Sequence, residues 1–579
     1  MNKYTQIILG IAFALVCATA HAGTCPSGAN YLSLTNPTGP LVTLSSLGVT
    51  NCFYIAANGS DSNDGASEAN GHPWLHAPGM PNCTGNCATN SPAAGNGYIF
   101  RGGDAWHFGN SSLSPYAGGK TLTWHWGGSS GSYVYVGVDP SWYGGSSWAR
   151  PILSGDNPLS TSQVSNCSYG YNSGQIFNVE GIRYFILDNF EFTGLCATCK
   201  TEDCTAYVTV AGAVSGAGNP GAIENLYIHG LTYSTASFQD AIDGIHESDE
   251  QYGYTMQFNA MDGSDSDYHA LSCWGQQTAG YALQYNVCRY AGGTNVPDDC
   301  HYDHDNLYEY ISNVTDGSTH TDALFCYAEY SGGPSNPNIF YNNIFRYIGT
   351  LDGTTLSYNF TIDTPHGQTD YVFNSVFHDL CGLFNTVSGC GSGSVSYNYN
   401  AMCDSGGCGP TIMWNNTAEG ALPSYGYIWG NGGAMVAVTS VNDHWIVAGT
   451  GPSASFSGPS YVTETVPVYQ TISAANGQGY NSADDFSPKA STNTTVTTSG
   501  TNETTGYCAD SVLHNAAAEA ACTMGITGVS YNSTNHTVAY PAFAPVARPS
   551  SGGWNVGAYQ FGVGTSLPNP PTNLSIVVQ

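Results

Sequence analysis

The chain has 579 residues, only 9% of them charged, and 41 acidic against 10 basic residues give a formal net charge of −31. That balance argues against binding nucleic acid or an anionic membrane through phosphates, and it disfavours an acidic polysaccharide unless calcium bridges the like charges. With 72 Gly and 40 Tyr but few Lys, Arg and Glu, the composition favours short strands and tight turns over long amphipathic helices.

Residues 1–22 read as a secretory signal peptide. Lys3 supplies the positive region, Ile7 to Val16 the apolar run, and Ala20-His21-Ala22 a small-residue cleavage site. The apolar run is too short for a membrane span, and no later segment approaches the ~20 apolar residues one needs. Of 19 cysteines, Cys17 leaves with the signal, so 18 remain, an even number suited to disulfides in an oxidising compartment. Cys83/Cys87, Cys196/Cys199 and Cys403/Cys408 are close pairs able to staple loops, and a zinc reading of Cys196, Cys199 and Cys204 is the weaker alternative in a secreted chain.

Residues 23–155 carry aromatic, Gly-rich strand signals (Thr121 to Trp126, Tyr133 to Val138) and read as an N-terminal cap with the first rungs of a repeat. Residues 156–485 hold the repeat itself. A phrase of alternating apolar residues broken by Asn returns as Leu187-Asp188-Asn189-Phe190, Gln257-Phe258-Asn259-Ala260 and Gln284-Tyr285-Asn286-Val287. It returns again as Ile311-Ser312-Asn313-Val314, Tyr341-Asn342-Asn343-Ile344, Phe373-Asn374-Ser375-Val376 and Tyr397-Asn398-Tyr399-Asn400. This spacing is that of a solenoid rung. Asn tolerates the left-handed backbone of a sharp bend, and stacked rungs let such side chains form a hydrogen-bonded ladder. Asn286, Asn313, Asn343 and Asn374 are therefore expected at equivalent bends, with Phe258, Tyr285 and Phe373 in the core. Residues 486–562 read as a C-terminal loop and closing segment, and 563–579 as a Pro-rich tail.

Phe53-Tyr54-Ile55, the turn Gly59 to Gly65 and Pro73-Trp74 come first. Arg101-Gly102-Gly103-Asp104-Ala105-Trp106, Pro151 to Gly155, Arg548-Pro549 and Trp554 to Tyr559 follow. Together these phrases resemble the opening, first-rung and closing phrases of the pectin-lyase-like family. The resemblance implies a right-handed parallel β-helix over roughly residues 51 to 562. That family contains lyases, hydrolases, epimerases and non-catalytic fibres, so activity must be argued from a site.

Ionisable residues cluster between Asp240 and Asp322. Asp243/His246, Asp267/His269, His301/Asp303 and His320/Asp322 recur near the rung spacing and are expected to share one exposed face. On it, Asp303, His304, His301, His320, Asp322 and Arg289 are the catalytic candidates. Trp274, Tyr302 and Tyr308 are the sugar-stacking platforms, and Asp265, Asp267 and Asp305 are ligands for a calcium ion. A carboxylate pair drawn from Asp298, Asp299, Asp303, Asp305 and Asp322 suits glycoside hydrolysis, although the Arg-x-Lys clamp of polygalacturonase-like relatives is absent. Arg289 or Arg346 suits β-elimination. Tyr302-Asp303-His304-Asp305 loosely resembles the Asp-x-His-Asp phrase of alginate epimerases, without its proline. The expectation is a secreted carbohydrate-active enzyme acting on an extracellular polysaccharide, by elimination or hydrolysis. The alternative is a non-catalytic extracellular β-helix serving as fibre, adhesin or glycan-binding module. Oligomeric state is not legible.

Overall fold

Strands of three to five residues cannot satisfy their own backbone groups, so each must pair with strands from other turns of the chain. The computed structural model describes residues 22–26, 30–31, 42–119, 121–200, 204–211, 221–234, 242–247, 254–275, 282–292, 302–312, 321–324, 337–349, 359–360, 362, 369–379, 409–421, 437–447, 462–488, 496–497 and 500–561. In it one sheet runs in chain order from Asn51–Ile55 to Val462–Thr465, and a second from Ala105–His107 to Val468–Thr471. Neighbours in both are parallel, apart from the short antiparallel strand Gly23–Thr24 at the start of the first. A five-stranded third sheet, Leu122–Trp124 to Leu271–Trp274, adds a further side over the earlier coils. The chain is a parallel β-helix.

Each coil passes from the first sheet to the second through a two-residue bend. Its first residue is left-handed: Asn189, Asn225, Phe258, Tyr285, Asp305, Asn342, Asn374, Asn415, Asn442 and Val466 all have φ between 51° and 64°. Its second residue points inward and builds a ladder. The Asn286 side chain accepts from the Asn259 N–H, Asn306 from that of Asn286, and Asn343 from that of Asn306. Ser375, Asn416 and Asp443 continue it. Asn286 and Asn343 are thus ladder residues as expected. Asn374 instead takes the left-handed position one residue earlier, with Ser375 in the ladder, and Asn313 lies outside the described residues. The copy between Asn286 and Asn343 is Asp305-Asn306, because Ile311 and Ser312 end the strand Leu307–Ser312.

The left-handed side chains face outward, where the C-terminal segment is laid across them. Asn442 exchanges hydrogen bonds with Thr501, Asn415 donates to the Asn555 carbonyl, and Asn374 donates to those of Ala521 and Met524. Asn342 donates to Thr527 Oγ1 at 2.8 Å. Phe258 and Tyr285 are buried and stacked on each other as expected, in a core cluster that lies outside the coil with Ile526, Tyr540 and Phe543. Phe373 likewise lies on the outer face. The interior is filled by residues such as Phe340, Val372 and Met413.

Six disulfides occur among the described residues, including the expected Cys83–Cys87. Cys196 and Cys199 do not pair with each other. Cys196 bridges to Cys167 and Cys199 to Cys204, which also removes the zinc reading. Cys403 and Cys408 lie outside the described residues, as do residues 1–21. No helix among the described residues is long and apolar enough to cross a membrane.

Candidate active site

The expected single face is not formed by its described members. Successive residues of a strand point to opposite sides, so Asp303 and His304, neighbours in Tyr302–His304, cannot share one. Asp303 points into the coil, fully buried, where it accepts a 2.6 Å hydrogen bond from Tyr308, and burial pushes its carboxyl up to about 6. Trp274 and Tyr308 are interior too, at 0% and 1% exposure, so neither presents a ring to a glycan. Tyr302 is half-buried against the first sheet's outer cluster. His304 starts a stack of rings on that outer face. Tyr341 lies 4.4 Å from it, and Phe373, Trp414 and Tyr507 follow. Tyr302-Asp303-His304-Asp305 is therefore an ordinary strand and bend.

The three calcium candidates belong to separate sets. Asp265 holds His229 at 2.7 Å, Asp267 holds His269 at 3.0 Å, and Asp305 holds His304, Thr527 and the Gly528 N–H. No group of three or more His, Cys, Asp or Glu arranged for a metal occurs among the described residues. Asp243 and His246 pair with each other at 2.8 Å on the third sheet, in register with Ser272. His301, His320, Asp298 and Asp299 lie outside the described residues. Of Asp322 only the backbone is described, in the strand Thr321–Asp322, which pairs with Asn359–Phe360.

Arg289 leads to a different place. Aligning the coils on the ladder residue, the third position after it reads Asp262, Arg289, Glu309, Arg346, His378 and Glu419. Register stacks the first five directly above one another on the outer face of the second sheet. Stacking places equivalent side chains about 4.8 Å apart, so like charges repel and opposite charges pair. Arg289 bonds Asp262 at 2.9 Å and Glu309 at 2.8 Å. Arg346 bonds Glu309 at 2.7 Å and, at 2.6 Å, Asp485, which comes from beyond the last coil. Burial opposes both guanidinium charges, but the flanking carboxylates outweigh it. Beside this column Tyr290, Tyr310 and Tyr347 stack at 4.5 and 4.8 Å. The next residue in that series is Asp379.

The column ends in a recess of about 340 Å³ lined by Asp379, Glu419, Ile472, Asn476, Asn481, Ser482 and Phe486. That is near the lower end of roughly 300–1,000 Å³ for small-molecule sites. The helix Ile472–Gly477 follows the last strand directly, capped by the Thr471 side chain accepting from Ala474 N–H, and forms one wall. Asn481, Ser482 and Phe486, at the turn Ser482–Asp484 and just after it, form the other. His378, fully buried, bridges Asp379 at 2.9 Å through Nδ1 and Asp485 at 2.8 Å through Nε2. Burial disfavours its charge, yet the two carboxylates outweigh that and raise it to about 9. Glu419 differs. Its Oε2 accepts the Asp379 N–H at 2.9 Å, and burial, helped by the charge of Asp379, pushes its carboxyl up to about 7. Two carboxyl groups of unlike character thus meet in one recess. Asp379 is hydrogen-bonded to the His378 ring, with its side chain 18% exposed; Glu419 is the more deeply buried and is raised by that burial to about 7.

Residue-by-residue reading of the sequence missed this site, because Asp379, Glu419 and Asp485 stand in unremarkable local contexts. The column alignment above was the available signal. It required the bend to be assigned to Asn306 first.

No family model and no curated protein matches the chain. Among solved structures, it is similar to pectate lyase Pel9A at 14% identity and a TM-score of 0.36, over 88% of this chain and 96% of that one. It is similar to a rhamnogalacturonan lyase at 11% and 0.33, over 72% and 87%. The GH136 lacto-N-biosidase from Eubacterium ramulus follows at 12% and 0.29, over 73% of this chain and 68% of that one.

Proposed function

We propose that the protein is a secreted glycoside hydrolase acting on an extracellular polysaccharide at the Asp379/Glu419 recess. The observation that carries this reading is the pair of carboxyl groups with unlike environments facing one cavity. Hydrolysis of a glycosidic bond needs one protonated acid for the leaving oxygen and one carboxylate for the opposite side of the sugar. Glu419, raised to about 7, supplies the proton. Asp379 activates a water or attacks the anomeric carbon, and the imidazolium of His378 keeps it oriented. Asp485, itself bonded by Arg346, holds the other side of His378. The six disulfides among the described residues support an oxidising, extracellular setting.

The test is reducing-end release from a panel of polysaccharides. Glu419→Gln and Asp379→Asn are each expected to lower the rate by about a hundredfold or more with the fold intact. Because Glu419 acts as the acid, wild-type activity should fall as pH rises through about 7. Wild-type rates in both variants would move the chemistry elsewhere, and an unsaturated, ultraviolet-absorbing product would make the reaction an elimination.

A further inference from the structure

We infer that the recess selects an uncharged glycan and rejects uronate or sulfated chains; the inference rests on the hydrolase reading of the same site. Three observations carry it. The lining contains two carboxyl groups, two amides, a hydroxyl and two apolar side chains, and no Lys or Arg. The nearest cations are already engaged: Arg346 is divided between Glu309 and Asp485, and His378 between Asp379 and Asp485. Neither has a carboxylate-free side to turn toward an anionic sugar. Finally, between Arg346 and Lys489 the sequence contains no Lys or Arg at all, so none of the chain between those positions can add one to the rim.

An acidic polymer approaching this recess would set its carboxylates against Asp379 inside a chain of formal charge −31, and like-charge juxtaposition of that kind excludes wrong partners. A neutral sugar meets suitable groups instead. Asn476, Asn481 and Ser482 offer amide and hydroxyl partners for sugar hydroxyls, and Phe486 with Ile472 gives an apolar wall for a ring face. Such a mixture of apolar lining and a few polar groups suits an uncharged ring.

Affinity electrophoresis and calorimetry of full-length Glu419→Gln protein test the inference. The probes are xylan, mannan, galactan, mixed-linkage glucan, polygalacturonate and carboxyl-reduced polygalacturonate. At least one neutral polymer is expected to bind about tenfold or more tighter than polygalacturonate, with the gap narrowing at high salt. Asn476→Lys, on the exposed helix wall, should raise polygalacturonate affinity several-fold, and Lys489→Gln should leave the order unchanged. Polygalacturonate binding tighter than every neutral polymer, or binding of none of the probes, overturns the inference. The two readings fail separately. A neutral polymer bound but never cut by wild type sinks the hydrolase and leaves the selectivity standing. Glu419-dependent cutting of polygalacturonate does the reverse.

Discussion

The outer faces of the two long sheets obey one stacking rule and reach opposite outcomes. On the first sheet the residue before each bend reads Asp188, Glu224, Gln257, Gln284, His304, Tyr341, Phe373 and Trp414. Glu224 there is fully buried directly above Asp188, with its carboxyl raised well above the ordinary range by burial and by the Asp188 charge. Gln257 donates to Glu224 and Gln284 to Gln257, and the column then becomes stacked rings. On the second sheet opposite charges alternate from Asp262 to Arg346, and Asp485 then sits between Arg346 and the next cation of the column, His378. In a coil repeating about every 4.8 Å, a polar column must either share protons and amides or alternate in sign. The first solution needs no solvent and lies partly beneath the C-terminal segment. The second leaves its last carboxyl groups facing a cavity, and chemistry becomes available there.

Removing one charge tests the alternating column most severely. Arg346→Met should cost about 3 kcal/mol in denaturant unfolding, because it strands part of the charge on buried Glu309 and Asp485. It should also lower activity, by freeing Asp485 from one of its two partners. A cost under about 0.5 kcal/mol would mean that the column is decoration. Breaking the inner ladder affects both sheets equally and should cost less. Asn306→Ala leaves the Asn286 N–H without its acceptor, for about 2 kcal/mol.

The ladder is also where the sequence was easiest to read. Asn recurs because a left-handed bend and an inward amide both favour it, so the β-helix, its period and Asn286 and Asn343 were legible. The bend at Asp305-Asn306 was not, since Asp replaces the usual Asn or aromatic there and sits within an Asp- and His-rich stretch that looks catalytic. Alternation then misled twice. Asp303 and His304 are adjacent in sequence and opposite in space, while Glu419, Asp379 and Asp485 are distant in sequence and adjacent in space. Asp485 was beyond reach for a further reason. It lies past the last coil, where no repeat fixes its position.

The proton-sharing column gives a smaller, pH-dependent prediction. A carboxyl whose folded value is raised stabilises the fold fully below its unfolded value, near ~4.3, and that contribution is lost as pH rises toward the folded value. Glu224→Gln keeps a neutral group at every pH. Its stability should match wild type at pH 4 and exceed it at pH 8, because only the wild type loses stability as pH climbs above the unfolded value. Equal stabilities at both pH values would show that Glu224 is ionised at no cost.

His304 gives the smallest expected effect and separates the two columns most cleanly. Its imidazole stacks on Tyr341 with the planes 6° apart and bonds Asp305 at 2.9 Å. Phenylalanine preserves the ring and loses the bond, while Asp305 keeps Thr527 and the Gly528 N–H. His304→Phe should therefore change stability by less than about 1 kcal/mol and leave the rate of glycan cleavage within twofold. A hundredfold loss of rate with an unchanged unfolding midpoint would instead return the chemistry to the Tyr302–Asp305 strand and bend. The ring stack beneath the C-terminal segment would then be a working surface, and the recess at the end of the charged column a structural seam.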